Sequence, residues 1–197
     1  MTFSNRQIAL MGMLIAFNVA LGGLVNVLKL PIFLDAIGTI MAAVLLGPRA
    51  AIIVGVFSFL IAAAIINPVY VWFAGTQAII AVVVYLAARY LAVFRSLARV
   101  IPAGLALGDI AGIVSAPVIV YVFGGVAGSG RDLITAALVS TGQQIWKAVF
   151  LSGAASEPID KLLQMLAAYF VLRSLPRSVL EAFRNPVLER NNLLPPC

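Results

Sequence analysis

The chain has 197 residues, 63% of them apolar and only 10% charged, far from the roughly one-quarter charged fraction of soluble domains. That balance excludes a soluble globular domain and indicates an all-α integral membrane protein, because a hydrocarbon core about 30 Å thick takes about 20 apolar residues to cross as a helix. There is no histidine and the net charge is +6; imidazole catalysis and histidine-based metal sites are excluded, and the basic excess reads as loop topology rather than nucleic-acid binding.

Polar and Pro/Gly clusters divide the sequence into six apolar segments, near 8–28, 32–46, 50–66, 69–92, 101–123 and 154–173. The first follows Arg6 with no small-residue cleavage site, so a retained helix is expected rather than a signal peptide. Along it Gly12, Ala16 and Ala20 recur every four residues, flanked by Ala9 and Gly23. Small residues at that spacing make a smooth strip on which another helix approaches closely, within the bundle or from a second chain.

The second segment is short for a crossing, which implies tilt or shielding by neighbours. Its stretch "LKLPIFLDAIGT" carries Asp35; a carboxylate at full depth costs about 2.5–3.5 kcal/mol on insertion scales, so it needs a partner, water or a ligand. Lys29 is the candidate partner. Before the fourth segment, "INPVYVWFAGTQ" places Asn67, Tyr70, Trp72 and Gln77 at one level, as pocket lining or as an interfacial aromatic belt. The fifth segment carries Asp109 among small residues, expected in a helix–helix hydrogen bond or a water-filled crevice, and Tyr121 near its outer end.

"GVAGSGRD", residues 125–132, comes close to the phosphate-binding pattern G-x-x-x-x-G-K-[ST]. Arg131 and Asp132 replace the lysine and the magnesium-holding hydroxyl, and no strand precedes the loop, so a glycine turn is expected instead. A partly buried or re-entrant element is expected between it and the sixth segment, with Gln143, Gln144, Trp146 and Lys147 gathered on one side as a candidate pocket wall. Glu157 and Lys161 stand four apart, suited to an ion pair, with Pro158 as a first-turn residue and Ser156 as cap of the last helix.

The expected domain division is one six-helix transmembrane unit over 1–175 and a tail over 176–197, expected as a short interfacial helix followed by a disordered end. The sole cysteine, Cys197, allows no disulfide within the chain and stands in no C-a-a-X box. Arg6, Arg49, Arg89, Arg95, Arg99, Arg173, Arg177, Arg184 and Arg190 fall on one side of the expected membrane, Lys29 and Arg131 on the other. An excess of that sign places both termini in the cytoplasm.

The small-residue strip, "FLDAIGTIMAAVLLGPRAAIIVGVFSFL", "INPVYVWFAGTQAIIA", the glycine loop and "EPIDKLLQMLAAYFVLRSLP", in that order over residues 6–184, together resemble the substrate-binding membrane subunit, or S component, of energy-coupling-factor (ECF) transporters. The resemblance implies a six-helix bundle in the bacterial cytoplasmic (inner) membrane that captures a vitamin or related organic micronutrient at its outer face. It also implies that the first helix docks on a transmembrane coupling subunit driven by two cytoplasmic ATPases, and that the bundle topples in the membrane during transport. Ala9, Gly12, Ala16 and Ala20 would be the docking residues, with glycine in place of the usual first alanine. The family's nickel and cobalt carriers ligate metal through an N-terminal Met-His; this chain begins Met1-Thr2, so no metal cargo and no cofactor are expected. Riboflavin, thiamine, biotin, a corrinoid fragment and a queuosine precursor stay open as cargo.

Two rivals stand beside that expectation. A phosphatidyl-transferring enzyme needs clustered aspartates at headgroup level, whereas Asp35, Asp109, Asp132 and Asp160 fall in four separate regions. A membrane scaffold without a ligand is the second; ligand binding by the purified chain separates it from a carrier.

Overall fold

In lipid, backbone amides find no solvent to bond, and an α-helix satisfies them within one segment. The computed structural model describes residues 3–195; it is 79% helix, and no strand occurs among the described residues. In chain order the helices are α1 Asn5–Val27, α2 Ile37–Leu45, α3 Pro48–Ile65, α4 Ala74–Leu86, α5 Leu97–Tyr121, α6 Arg131–Ser140, α7 Ile145–Ser174, α8 Arg177–Ala182 and α9 Pro186–Arg190. A 3₁₀ turn, Pro68–Phe73, leads into α4 and a π turn, Ala87–Leu91, prolongs it. Four helical stretches are long and apolar enough to cross a membrane: Asn5–Val27, Pro48–Ile65, Pro68–Leu91 and Leu97–Tyr121.

Three expectations are corrected. The second segment is no full helix: residues 32–36 are irregular and only the nine residues of α2 are helical, all of them buried. Non-helical backbone at depth survives only where protein covers it, and here α1, α3, α4 and α7 pack around α2. The break expected at Ser156 does not occur. Pro158 lies inside the 30-residue α7, and the Ser156 hydroxyl donates to the Ser152 carbonyl (2.9 Å) rather than capping a new helix. The tail from 176 is not a disordered end as far as residue 195: Leu180, Val187, Leu188 and Leu194 are core residues. Cys197 lies outside the described residues.

Specific side chains join the layers. Asn18 of α1 donates to Thr39 Oγ1 (3.0 Å) and Ser58 Oγ (3.1 Å) and accepts from Gly38 N (2.7 Å), so every polar atom of a buried amide ties α1 to α2 and α3. α5 packs along α7, and they cross so closely at Gly108 that a Cβ there would lie 2.3 Å from Pro158 Cα.

The two ends of the bundle differ. At one end, Arg173 donates to the Arg95 carbonyl (2.7 Å), Arg190 to the Tyr90 carbonyl (2.8 Å), and Asn185 to the Val44 and Leu45 carbonyls (3.1 and 2.9 Å). Asn191 accepts from Phe94 N and donates to the Ala88 carbonyl. The C-terminal helices thereby bond orphan carbonyls where α2 and the π turn end. At the other end Lys29 Nζ donates to the Gly128 carbonyl (3.1 Å).

Candidate ligand-binding site

The irregular stretch before α2 leaves a row of backbone N–H groups inside the protein, and each unpaired one would cost about as much as a lost hydrogen bond. Side chains from α7 take them up. Asp160 Oδ1 accepts from Phe33 N (2.8 Å) and Leu34 N (3.0 Å), and Gln164 Oε1 accepts from Ala36 N (2.7 Å). Leu34 is held at φ 50°, a left-handed conformation that a bulky side chain adopts rarely and at some cost. The stretch thus projects Phe33 and Asp35 into a cavity between the bundle's helices.

A buried ionic chain runs along that cavity. Arg131 donates to Glu157 Oε1 (3.2 Å), to Ser152 Oγ (3.1 Å) and to the Val149 carbonyl (2.6 Å). Glu157 Oε2 lies 3.9 Å from Lys161 Nζ, which also pairs with Asp160 Oδ2 and stands 3.6 Å from Asp35 Oδ1. Gln77 Nε2 reaches Asp35 Oδ1 at 3.5 Å. Three carboxylates therefore share two cations, all nearly or fully buried. Taking such groups out of water costs several kcal/mol per ion before their attraction offsets it, so the arrangement is a poor stability device and makes this cavity the candidate functional site. Gly153 makes room for it: a Cβ there would stand 2.5 Å from an Arg131 nitrogen.

The cavity is lined by Asp35, Arg131, Glu157 and Lys161 of this chain, by Phe33, Phe59, Tyr70 and Phe73, and by polar residues that include Asn26, Asn67, Gln77 and Ser129. Its inner volume is about 90 Å³ within a cleft of about 700 Å³ that includes its open mouth. Apolar walls with a few convergent polar groups are the composition of small-molecule sites. Phe59 meets the Tyr70 ring edge-on (centroids 5.3 Å apart), and Phe73 stacks on Phe123 (6.1 Å), which holds the aromatic wall in place.

Of the residues singled out from sequence, Asp35, Asn67, Tyr70, Gln77, Glu157 and Lys161 converge on this cavity. Six others do not. Trp72 (56% exposed) and Tyr121 (78%) face outward, and Tyr121 packs edge-on against Trp146, 5.0 Å away. Gln144 precedes the first residue of α7, and Gln143, Trp146 and Lys147 sit beside it. Lys147 lies 14 residues before Lys161, about 21 Å along the helix axis. Grouping them with Glu157 treated as one polar patch what is the far end and the middle of a long helix.

Lys29 is not the partner of Asp35; Lys161 is, and Lys29 bonds the glycine loop instead. Asp132 folds that loop, accepting from Gly128 N (2.6 Å) and Ser129 N (2.8 Å). Asp109 is exposed at the midpoint of α5, with no hydrogen bond or ion pair among the described residues. Asp35 and Asp160, read as belonging to separate regions, both reach Lys161, yet among the described residues no group of three or more His, Cys, Asp or Glu is disposed to hold a metal. Ala9, Gly12, Ala16 and Ala20 all lie on the exposed outer surface of α1, and a Cβ added at Gly12 would meet nothing within 4 Å.

Sequence reasoning missed Arg131, Asp160 and Gln164. Asp160 and Gln164 are four apart and continue the Glu157–Lys161 face, a periodic signal that was present; Arg131 stood in a glycine loop and read as an exposed outer cation. In comparison with known proteins, no family model, curated protein or solved structure matches this chain.

Proposed function

We propose that the chain is the substrate-capturing subunit of a membrane importer of the ECF type, holding a small organic micronutrient in the cavity above α2. The observation that carries this reading is the cavity itself: a ring-lined cleft built around a buried ionic chain and lined also by Asn67, Tyr70 and Ser129 from the connections at the end away from the arginine cluster. In this reading α1, α2 with its irregular lead-in, α3, Pro68–Leu91, α5 and α7 are six crossings. Both termini are cytoplasmic by the positive-inside rule, and the cavity faces outward in a bacterial inner membrane.

The exposed strip of Ala9, Gly12, Ala16 and Ala20 is the docking face for a transmembrane coupling subunit. What supports that role is that all four residues are exposed among the described residues, and that close approach of small-residue faces is a main source of helix association in lipid. Power comes from ATPases in other chains, and this subunit catalyses nothing.

Native mass spectrometry of the gently purified protein tests the reading. A bound small organic molecule, lost on Gln77→Leu, is the expected result. A ligand-free spectrum, together with no uptake defect in cells lacking the gene, would favour the scaffold. Sidedness has its own test: a cysteine at Gly128 is expected to label from outside and one at Arg177 only after permeabilisation.

A further inference from the structure

We infer that the cavity selects a planar heteroaromatic ligand bearing N–H donors and a positive charge, and discriminates against acids of the same size. This rests on the cavity being the substrate site. Four observations carry it. The first is Gln77 Oε1, buried and without a hydrogen-bond partner. The amide's orientation follows from its surroundings, since its nitrogen faces the Asp35 carboxylate, and turning it over would bring two oxygens together. An unsatisfied acceptor is therefore carried by a residue of the cavity wall, and only a donor satisfies it.

The second is Asp35. Its two recorded side-chain partners, Lys161 Nζ at 3.6 Å and Gln77 Nε2 at 3.5 Å, are both at the long limit, because Lys161 is drawn to Asp160. A carboxylate with vacant acceptor positions thus adjoins the orphaned amide oxygen. The third is the charge count. Each nitrogen of Arg131 already makes one hydrogen bond to protein and Lys161 is shared among three carboxylates, so both cations are already paired with acids, and the carboxylates outnumber the cations by one.

The fourth is shape. Phe33, Phe59, Tyr70 and Phe73 line the walls, and aromatic faces attract cations. The inner volume of about 90 Å³ is below the roughly 150 Å³ that houses benzene elsewhere, so a single ring enters deepest and widens the site slightly, with the rest of the ligand in the cleft.

The test uses the full chain in nanodiscs at pH 7 and ligand-observed NMR titration with three probes of one shape: 4-aminopyridine, which is protonated, 4-methylpyridine, which is neutral, and pyridine-4-carboxylate. The cation is expected to bind at least tenfold more tightly than either of the others. Gln77→Leu and Asp35→Asn are each expected to weaken it about tenfold, and Gln77→Glu, which adds a carboxylate without losing polarity, to tighten it. Preference for pyridine-4-carboxylate would overturn the ligand class and leave the site standing. Binding of none of the probes, or binding untouched by all three substitutions, would remove the site as well.

Discussion

Asp160, fully buried and engaged by two backbone amides, one side-chain amide and Lys161, shows what a single residue does in this fold. It holds the backbone that presents Asp35 and never lines the cavity itself. Asp160→Leu strands the Phe33 and Leu34 amides and leaves Lys161 only its longer contacts to Asp35 and Glu157; at about 1–3 kcal/mol for each unsatisfied buried group, a loss of several kcal/mol is expected, read as a lowered melting temperature in detergent. Asp160→Asn keeps an acceptor for the amides and loses less. The residues that sequence reasoning found, Glu157 and Lys161, were legible because their partnership is local, four positions along one helix. Asp160's partners lie 126 and 127 positions away, and no local pattern announces such a bond. Trp146 and Lys147 failed for the opposite reason: polarity was visible in the sequence, but distance along an unbroken helix was not.

Among the elements, two helix faces offer a contrast between buried and free small residues. At Gly108 a Cβ would strike Pro158 Cα at 2.3 Å and the Glu157 carbonyl oxygen at 2.4 Å; Gly108→Val forces α5 from α7. Overpacking costs about 1–3 kcal/mol and at a backbone contact more, so loss of folded protein on size-exclusion chromatography is expected. Gly12→Leu and Ala16→Leu add bulk where the chain itself has nothing to hit. They are expected to leave melting temperature and ligand binding unchanged while abolishing uptake and complex assembly; uptake at the wild-type level would remove the docking role. The apolar runs made α1, α3, α4 and α5 readable. The start of α7 was misplaced because a serine two positions before a proline looks like a helix start, yet Pro158 lies inside the continuous helix.

At the level of the whole molecule, the arginine cluster and the cavity occupy opposite ends, and the C-terminal helices lock the first of these. Asn185 and Asn191 fasten α8 and α9 to α2, to the π turn and to the 3₁₀ turn at Phe94. Deleting residues 176–197 uncovers core side chains and leaves those backbone groups to find water. It is expected to lower the melting temperature and to raise hydrogen exchange at Phe94, whose amide N–H donates to Asn191, with the candidate site, at the other end, keeping any affinity it has. That this tail would fold into the body was not legible, because its alternating apolar and charged residues fit a helix lying on the lipid surface equally well.

Gly22 lets Asp35 lie directly on α1: a Cβ at position 22 would be 3.1 Å from Asp35 Cβ. Ala16 and Ala20 lie roughly 120° and 160° around the same helix from Gly22 and are exposed, on a rod whose diameter with side chains is about 10–12 Å. One rod of peptide is therefore all that separates the Asp35 carboxylate from the small-residue strip, so a change of bulk at position 22 would press on the acid from the strip's own helix.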